Sequence, residues 1–181
     1  MDAAQVADVE GVLVSAGLVG LALLLAATAH PRLRREIVVP LAGSGTALAA
    51  GIALLATLGS LWFSEEAGFP PCELCWYQRI AMYPLVVVLG IAGFRDGASA
   101  RLAGLVLALA GLAVSIWHNI IETFPDIESG SCDPAAPCTV RWVEGLGFWT
   151  IPRMAAACFV LIIGLTAIDH FVRRRPEETS P

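Results

Sequence analysis

The sequence predicts an all-α integral membrane protein, organised as a four-helix transmembrane bundle with one extra N-terminal transmembrane helix. Hydrophobic residues make up 57% of the 181 residues and charged residues only 15%, whereas a soluble domain has about 45–50% apolar and about 25% charged residues. The charged residues cluster between five long apolar runs, each close to the roughly 20 residues that a spanning helix needs. The runs are Val12–Ala29, Ile37–Phe63, Trp76–Phe94, Leu102–Ile121 and Phe148–Val172.

The first run is predicted to be a retained membrane helix rather than a cleaved signal peptide. Its N-terminal flank carries Asp2, Asp8 and Glu10 and no basic residue, and arginines follow the run. This order of charges is the reverse of that in a signal peptide. Residues 1–36 are therefore predicted to form the extra helix and a loop, residues 37–172 the bundle, and the polar residues 173–181 a disordered tail.

The arginines predict how the five helices are oriented in the membrane. They lie between runs one and two, between runs three and four, and after run five. Because cytoplasmic loops are enriched in Lys and Arg, these segments and the C-terminus are predicted to be cytoplasmic, and the N-terminus and the other two loops extracytoplasmic. The three clusters are Arg32, Arg34 and Arg35; Arg95 and Arg101; and Arg173, Arg174 and Arg175.

The charge of the chain gives no support to a nucleic-acid partner. The formal net charge is −5, and no basic patch with interleaved aromatic residues is present, as such a partner would require. The chemistry of the chain therefore has to be sought in its outer loops.

Four of the five cysteines form two pairs that this topology places on the outer side. Cys72 and Cys75 form a Cys-x-x-Cys motif at the start of run three, where they share a helix face and where the helix N-terminus favours a thiolate. Cys132 and Cys138 lie in the next outer loop, at a spacing that allows a disulfide but does not determine the pairing. The pattern predicts redox chemistry. The alternatives are a static disulfide, cysteines without a role, or a zinc site, which the wide Cys132–Cys138 spacing disfavours; no metal is expected.

Two polar side chains are predicted to lie near the outer membrane interface, at similar depth. Arg79 follows Cys75 by one helical turn, so its charge can favour the Cys75 thiolate, and a charged residue at membrane depth suggests a function. His118 lies about one turn before the outer end of run four and is either a hydrogen-bonded structural residue or a ligand-binding one. Cys158, deep in run five, is predicted to be an inert buried thiol.

The electrons released by a closing thiol pair need an acceptor. The sequence contains no haem motif, no iron–sulfur spacing and no nucleotide-binding glycine loop. A lipid-soluble quinone that enters from the bilayer is therefore the predicted acceptor, with carbonyl oxygens that accept hydrogen bonds from Arg79 or His118.

The stretch Pro71–Arg79 resembles the signature of the DsbB-like disulfide-bond formation proteins, close to the BdbC branch. Trp117-His118-Asn119, Cys132-Asp133 and Ile151-Pro152 are also similar to that family, and the resemblance covers residues 41–172 approximately. It implies a four-helix bundle in the bacterial inner membrane. It also implies a protein-dithiol:quinone oxidoreductase that reoxidises a DsbA-like extracytoplasmic partner with a thioredoxin fold.

The resemblance also implies a role for each site residue. Cys75 would face the quinone, ubiquinone or menaquinone, as the thiolate, and Cys72 would exchange with the second pair. Cys132 would form the mixed disulfide with the partner, and Cys138 would resolve it toward Cys72. Arg79 and His118 would bind the quinone.

Two features of the chain depart from the pattern of that family. The first apolar run is an additional helix. The loop that carries the second cysteine pair is short, and its segment Thr139–Phe148 is expected to form an interfacial amphipathic helix.

Two alternative functions remain at this point. One is a vitamin K epoxide reductase-like enzyme, whose active Cys-x-x-Cys follows the loop pair in sequence; here the order is reversed, which favours the DsbB-like interpretation. The other is a non-enzymatic membrane scaffold with structural disulfides, which predicts that Cys75→Ser leaves function intact.

Overall fold

The computed structural model describes residues 2–41, 44–95, 97–128, 130 and 132–174. The predicted tail, residues 173–181, lies outside this range except for the backbone of residues 173 and 174, which extends the last helix. About four fifths of the structure is helical, and the described residues contain no strand.

Among the described residues, five helices are long and apolar enough to cross a membrane, which confirms the predicted fold class. The first begins at a capping box, in which the Asp2 side chain accepts from the Gln5 N–H and the Gln5 side chain accepts from the Asp2 N–H. The helices are α1 (Ala3–Ala29), α2 (Gly45–Glu65), α3 (Glu73–Arg95), α4 (Ala98–Thr123) and α5 (Ile151–Arg174).

Helices α2 to α5 form a four-helix bundle in which each helix packs against two neighbours. Helix α2 contacts α3 and α5, and α4 contacts the same two helices from the other side. Helix α1 packs against α5, outside this ring. The bundle core contains Ala53, Leu85, Leu89, Phe159 and Ile162, all buried.

Small residues allow the bundle helices to approach each other closely. A β carbon at Gly111 would collide with the ring of Phe159, and one at Gly104 would collide with Leu89. The absence of a side chain at these glycines therefore leaves space for large side chains of the neighbouring helices, as small residues do at helix contacts in membranes.

The second spanning helix begins later than its apolar run. Short helical turns occupy Pro31–Leu33, Arg34–Val38 and Val39–Leu41, and α2 starts only at Gly45. Pro40 has no N–H to donate to a helix that would continue through it. The apolar residues 37–41 therefore belong to the connection between α1 and α2.

The predicted amphipathic helix at Thr139–Phe148 is wrong. Leu146 and Gly147 have φ angles of 53° and 69°, which are left-handed values that a right-handed helix does not accommodate. Gly145 and Trp149 pair their backbones around this turn, with N···O distances of 2.9 and 2.7 Å. The segment is a tight turn that leads into α5.

Helix α1 is attached to that turn by specific contacts. The Leu146 N–H donates to Asp8 Oδ1 at 2.7 Å, and Trp149 Nε1 donates to Ser15 Oγ at 3.0 Å. The Trp149 ring lies against Gly11, where a β carbon would be 2.8 Å from Cδ1. The extra helix is therefore fixed to the end of the bundle at which α5 begins.

Candidate functional site

The two predicted cysteine pairs lie together in one buried cluster at the end of the bundle where α3 begins. Cys132 and Cys138 form a disulfide with a Cα–Cα distance of 6.0 Å, whereas Cys72 and Cys75 are free thiols. Ile121 of α4 packs among them, and the exposed fractions of Cys72 and Cys138 are only 4% and 1%. The structure therefore places the two cysteine pairs next to each other in the same cluster of buried residues.

Cys72 occupies the N-cap position of helix α3. Its carbonyl oxygen accepts the first helical hydrogen bond, from the Trp76 N–H at 3.1 Å. Its Sγ accepts from the backbone N–H of Cys75 at 3.2 Å, as the oxygen of a capping Ser or Asp does at the third helical residue. The cap therefore directs an N–H group and the positive end of the helix at the sulfur of Cys72.

These contacts favour the thiolate form of Cys72. The hydrogen bond from the Cys75 side chain is the main reason that the pKa of Cys72 falls from its ordinary 9.0 to about 5. Burial opposes this change, and the hydrogen bond and charge of His118 add to it. In the reduced pair these contacts therefore favour Cys72 as the thiolate, whereas the sequence led us to expect the thiolate at Cys75.

His118 connects the two cysteine pairs. Its Nε2 is 3.8 Å from Cys72 Sγ and 3.1 Å from the carbonyl oxygen of Cys138. Because a carbonyl only accepts, Nε2 carries the hydrogen in the second contact. The ring is buried, and its Nδ1 has no hydrogen-bond partner among the described residues.

A buried carboxylate lies one turn after His118 and was not singled out from the sequence. Glu122 Oε1 is 3.2 Å from Nε of Arg141 and 3.8 Å from Nη2 of Arg153. Neither arginine aligns an N–H with this oxygen as a hydrogen bond, so the pairing is electrostatic. The available signal was the spacing of four residues between His118 and Glu122 in an otherwise apolar helix.

A cavity of about 290 Å³ lies beside the thiols, between α1, α2, α3 and α5. Its wall is mostly apolar. Its few polar lining side chains include Cys75, Arg79, Ser60 and Glu10. A mostly apolar cavity with few convergent polar groups is typical of a small-molecule site.

Arg79 is fixed at the wall of this cavity. Its Nε donates to Ser60 Oγ at 3.0 Å, and its Nη2 donates to the Ser60 carbonyl oxygen at 2.9 Å. Its guanidinium carbon lies 5.2 Å from the centre of the Trp76 ring, a distance at which a cation and an aromatic face attract each other. The predicted cation is therefore positioned near Cys75, with donors available to a bound molecule.

A second, smaller cavity of about 20 Å³ lies on the other side of the thiol pair. Cys72, His118 and Glu122 line this cavity but not the large one, whereas Cys75 lines both. The structure thus places Arg79 in the large cavity and His118 outside it, beside Cys72.

Three site residues also have the spacing of a metal site. The ligand atoms of Cys72, Cys75 and His118 lie within 4.8 Å of one another, and two thiolates with an imidazole suit a catalytic zinc with an open position. The same three groups serve a redox-active thiol pair with a neighbouring base. The adjacent Cys132–Cys138 disulfide favours the redox use, because a thiol pair next to a disulfide can exchange with it.

Comparisons with known proteins identify the family of this chain. The family described as "Disulfide bond formation protein DsbB" matches residues 42–168. "Disulfide bond formation protein C" of Bacillus subtilis is 45% identical over 113 residues, which cover 62% of this chain and 82% of that protein. A "Probable disulfide formation protein C 2" of Bacillus anthracis is 40% identical over 129 residues, 71% of this chain and 92% of that protein.

No solved structure matches the chain significantly. The family match covers more than half of the chain and includes α2 to α5, but not α1. The chain therefore belongs to the DsbB family of disulfide bond formation proteins.

Proposed function

We propose that this chain is a protein-dithiol:quinone oxidoreductase that reoxidises an extracytoplasmic partner and passes the electrons to a membrane quinone. The observation that supports this most is the position of Cys75. It lines both the cavity shared with His118 and Cys72 and the large apolar cavity shared with Arg79. A thiol in that position can receive electrons on one side and deliver them on the other.

The first exchange takes place at the outer disulfide. A thiolate of the partner attacks Cys132, which forms a mixed disulfide and releases Cys138. The second partner thiolate then resolves this bond, so the partner leaves oxidised and Cys132 and Cys138 remain as a dithiol. Thiolate attack on a disulfide sulfur is the step that moves the electron pair each time.

The second exchange joins the two pairs. The Cys138 thiolate attacks Cys72 of an oxidised Cys72–Cys75 pair, forms a Cys72–Cys138 bond and releases Cys75 as a thiolate beside Arg79. Cys132 then attacks Cys138, which restores the outer disulfide and frees Cys72. The inner pair is left reduced, in the form that the structure shows, with Cys72 as the favoured thiolate.

The large cavity fits a quinone head group. Its volume of about 290 Å³ is close to the lower end of ligand pockets, roughly 300 Å³. Arg79 would donate to a quinone oxygen, and Cys75 would stand at the reacting side. A bound quinone would supply a two-electron, two-proton acceptor, either ubiquinone or menaquinone. His118 would act on Cys72 and Cys138 rather than on the quinone.

The proposed function also implies on which side of the membrane the site lies. Multiple spanning helices and family membership fit a bacterial membrane protein. We propose that the cysteine loops and the N-terminus face the extracytoplasmic side and the C-terminus the cytoplasm. The partner is then a DsbA-like oxidase with a thioredoxin fold, which meets the loop around Cys132.

The proposal is tested by mixing the purified, fully reduced protein with a soluble quinone and following the loss of free thiols. The wild type is expected to lose thiols at the rate at which quinol appears, with one quinol for two thiols. Cys75→Ala should abolish this loss, because the pair can no longer close. Unchanged thiols in the wild type would refute the proposal.

A further inference from the structure

One wall of the large cavity is formed by residues that lie outside the range matching the DsbB family. Helix α1 lies before residues 42–168, yet it contributes Glu10, Leu13, Val14 and Gly17 to the lining. The contacts of Asp8, Gly11 and Ser15 with the turn before α5 hold this wall in place. The cavity of this chain is therefore built partly from its additional helix.

Glu10 places a carboxyl group in the wall of the cavity that Arg79 also lines. Its Oε1 lies against Gly59 of α2, where a β carbon would collide with the oxygen. Arg79 is hydrogen-bonded to the next residue of α2, Ser60. The carboxyl group and the guanidinium therefore reach the same turn of α2 from two different helices.

The carboxyl group of Glu10 has no partner of its own. Within the part of the chain that the structure describes, it forms no hydrogen bond and no ion pair, although Arg79 lines the same cavity. Glu10 also lies about 10 Å along α1 from Ala3, at 1.5 Å per residue, in a helix suited to cross the membrane. An ionisable residue in such a place is costly and indicates a function.

We infer that Glu10 is a catalytic acid of this site, whose carboxyl group donates a hydrogen bond and then a proton to an oxygen of the quinone in the large cavity. This inference rests on the proposed function. A neutral carboxylic acid, unlike a carboxylate, is tolerated in apolar surroundings without a counter-charge. Arg79 offers donors but no transferable proton, because its guanidinium does not deprotonate in proteins.

The proton balance of the reaction calls for such a group. Forming the Cys72–Cys75 disulfide from a thiolate and a thiol releases two electrons but only one proton, whereas converting a quinone to a quinol takes up two of each. Glu10 supplies the second proton and becomes a carboxylate. It then regains a proton from the outer aqueous phase, near which α1 begins.

The test compares Glu10→Gln and Glu10→Ala with a control carboxyl group, Glu66→Gln, in the full chain reconstituted in nanodiscs. Glu66 is exposed at the outer end of α2 and does not line the cavity. A short-chain ubiquinone is the probe. Three quantities are measured: the dissociation constant by quenching of tryptophan fluorescence, the infrared difference spectrum of quinone binding, and the rate of thiol loss in one turnover.

Glu10→Ala is expected to weaken quinone binding about three- to tenfold, the loss of one hydrogen bond. Glu10→Gln should still bind, because an amide can donate, but thiol loss should slow by about 100-fold or more, as when a general acid is removed. The wild type and Glu66→Gln should show a carboxylic-acid carbonyl band that shifts on quinone binding, and Glu10→Gln should lack it.

The inference is overturned if the carbonyl band persists in Glu10→Gln, or if both Glu10 variants bind and react like the wild type. A wild type that binds quinone and loses thiols while the Glu10 variants behave identically would leave the proposed function standing. A wild type that neither binds the quinone nor loses thiols would overturn both.

Discussion

At the scale of single residues, the two cysteines of the Cys-x-x-Cys motif have different surroundings. Cys72 caps α3 and receives an N–H from Cys75 and a contact from His118. Cys75 lies inside the first helical turn and lines the large cavity. The difference follows from the spacing: in a helix-capping position the first sulfur becomes the hydrogen-bond acceptor, and the third helical residue becomes its donor.

We predict that Cys72 titrates far below an ordinary thiol, and that Cys75 is the main reason. In a Cys158→Ala background with the outer disulfide intact, the ultraviolet absorbance of thiolate should rise with a midpoint near the Cys72 pKa of about 5. Cys75→Ala keeps the backbone N–H but removes the thiol donor, and should raise that pKa by about 1–2 pH units, the worth of one hydrogen bond to a charged group. His118→Ala should raise it by less.

The ionisation of Cys72 also makes the free energy of unfolding of the reduced protein depend on pH. The pKa of Cys72 is lower in the folded protein than in an unfolded chain, where it is close to 9.0. The unfolded state therefore binds more protons between these values, and the free energy of unfolding of the reduced protein rises with pH in that window. This stabilisation is lost as the pH falls through about 5. A midpoint above pH 8 for the wild type would contradict the role of Cys72 as the favoured thiolate.

The sequence did not reveal the site residues that reach the site only because one helix packs against another. Cys72, Cys75, Arg79 and His118 could be found because motif spacing and predicted depth bring them together along one or two helices. Glu10 appears in sequence only as a charge that flanks the first apolar run. Its place in the cavity depends on α1 packing against the bundle, which no local pattern reports.

At the scale of elements, helix α1 is attached to α5 and to the turn before it through close contacts at small residues. Its central contact is that of Gly11 with the Trp149 ring, supported by the hydrogen bond from Trp149 Nε1 to Ser15. Gly20, on the same helix, has no atom within 4 Å of the position of a β carbon. The two glycines therefore distinguish the docked part of α1 from its open face.

We predict opposite outcomes for alanine at these two glycines. Both substitutions gain roughly 1 kcal/mol of helix propensity. At Gly11, the added methyl group would be 2.8 Å from Trp149 Cδ1, so the indole must move, at a cost of about 1–3 kcal/mol for overpacking. Gly11→Ala should therefore unfold at a lower temperature than Gly20→Ala, with a changed tryptophan emission, in thermal unfolding of the reconstituted protein. Equal unfolding temperatures would show that α1 is not docked through Trp149.

The elements differ in how far the sequence determines them. The five spanning helices were predictable, because bilayer thickness requires long apolar runs whatever their packing. The ends of α2 and the turn before α5 were not. The amphipathic pattern of residues 139–148 favoured a helix, but the left-handed Leu146–Gly147 turn and its hydrogen bond to Asp8 are tertiary features that override it.

At the scale of the whole molecule, the fold places the two cysteine pairs and the large cavity next to one another at the same end of the bundle. The loop with Cys132 and Cys138 lies over the start of α3, Cys72 and Cys75 lie beneath it, and the large cavity follows with Arg79 in its wall. In the proposed function, each step of electron transfer would therefore take place between neighbouring groups. The predicted topology, with both cysteine loops on one side, is consistent with this order.

This arrangement predicts which two cysteines of different pairs can bond. His118 Nε2 contacts both Cys72 Sγ and the backbone of Cys138, at 3.8 and 3.1 Å, and a disulfide requires Cα atoms within about 7 Å. A Cys75→Ser/Cys132→Ser double variant, which retains Cys72 and Cys138, should therefore form an intramolecular disulfide on mild oxidation. Mass spectrometry of unreduced peptides identifies the bond.

The matched control is Cys72→Ser/Cys138→Ser, which retains Cys75 and Cys132. Among the described residues, Cys75 has no hydrogen bond to the loop, and it also lines the large cavity, so this variant should remain mostly unbridged under the same oxidation. Because the two variants contain the same number of thiols and share Cys158, a difference between them reports geometry rather than thiol content. Equal bridging in both variants, or bridging only in the control, would contradict an exchange between Cys138 and Cys72. It would mean that electrons pass from the outer pair directly to Cys75, the residue that also lines the large cavity.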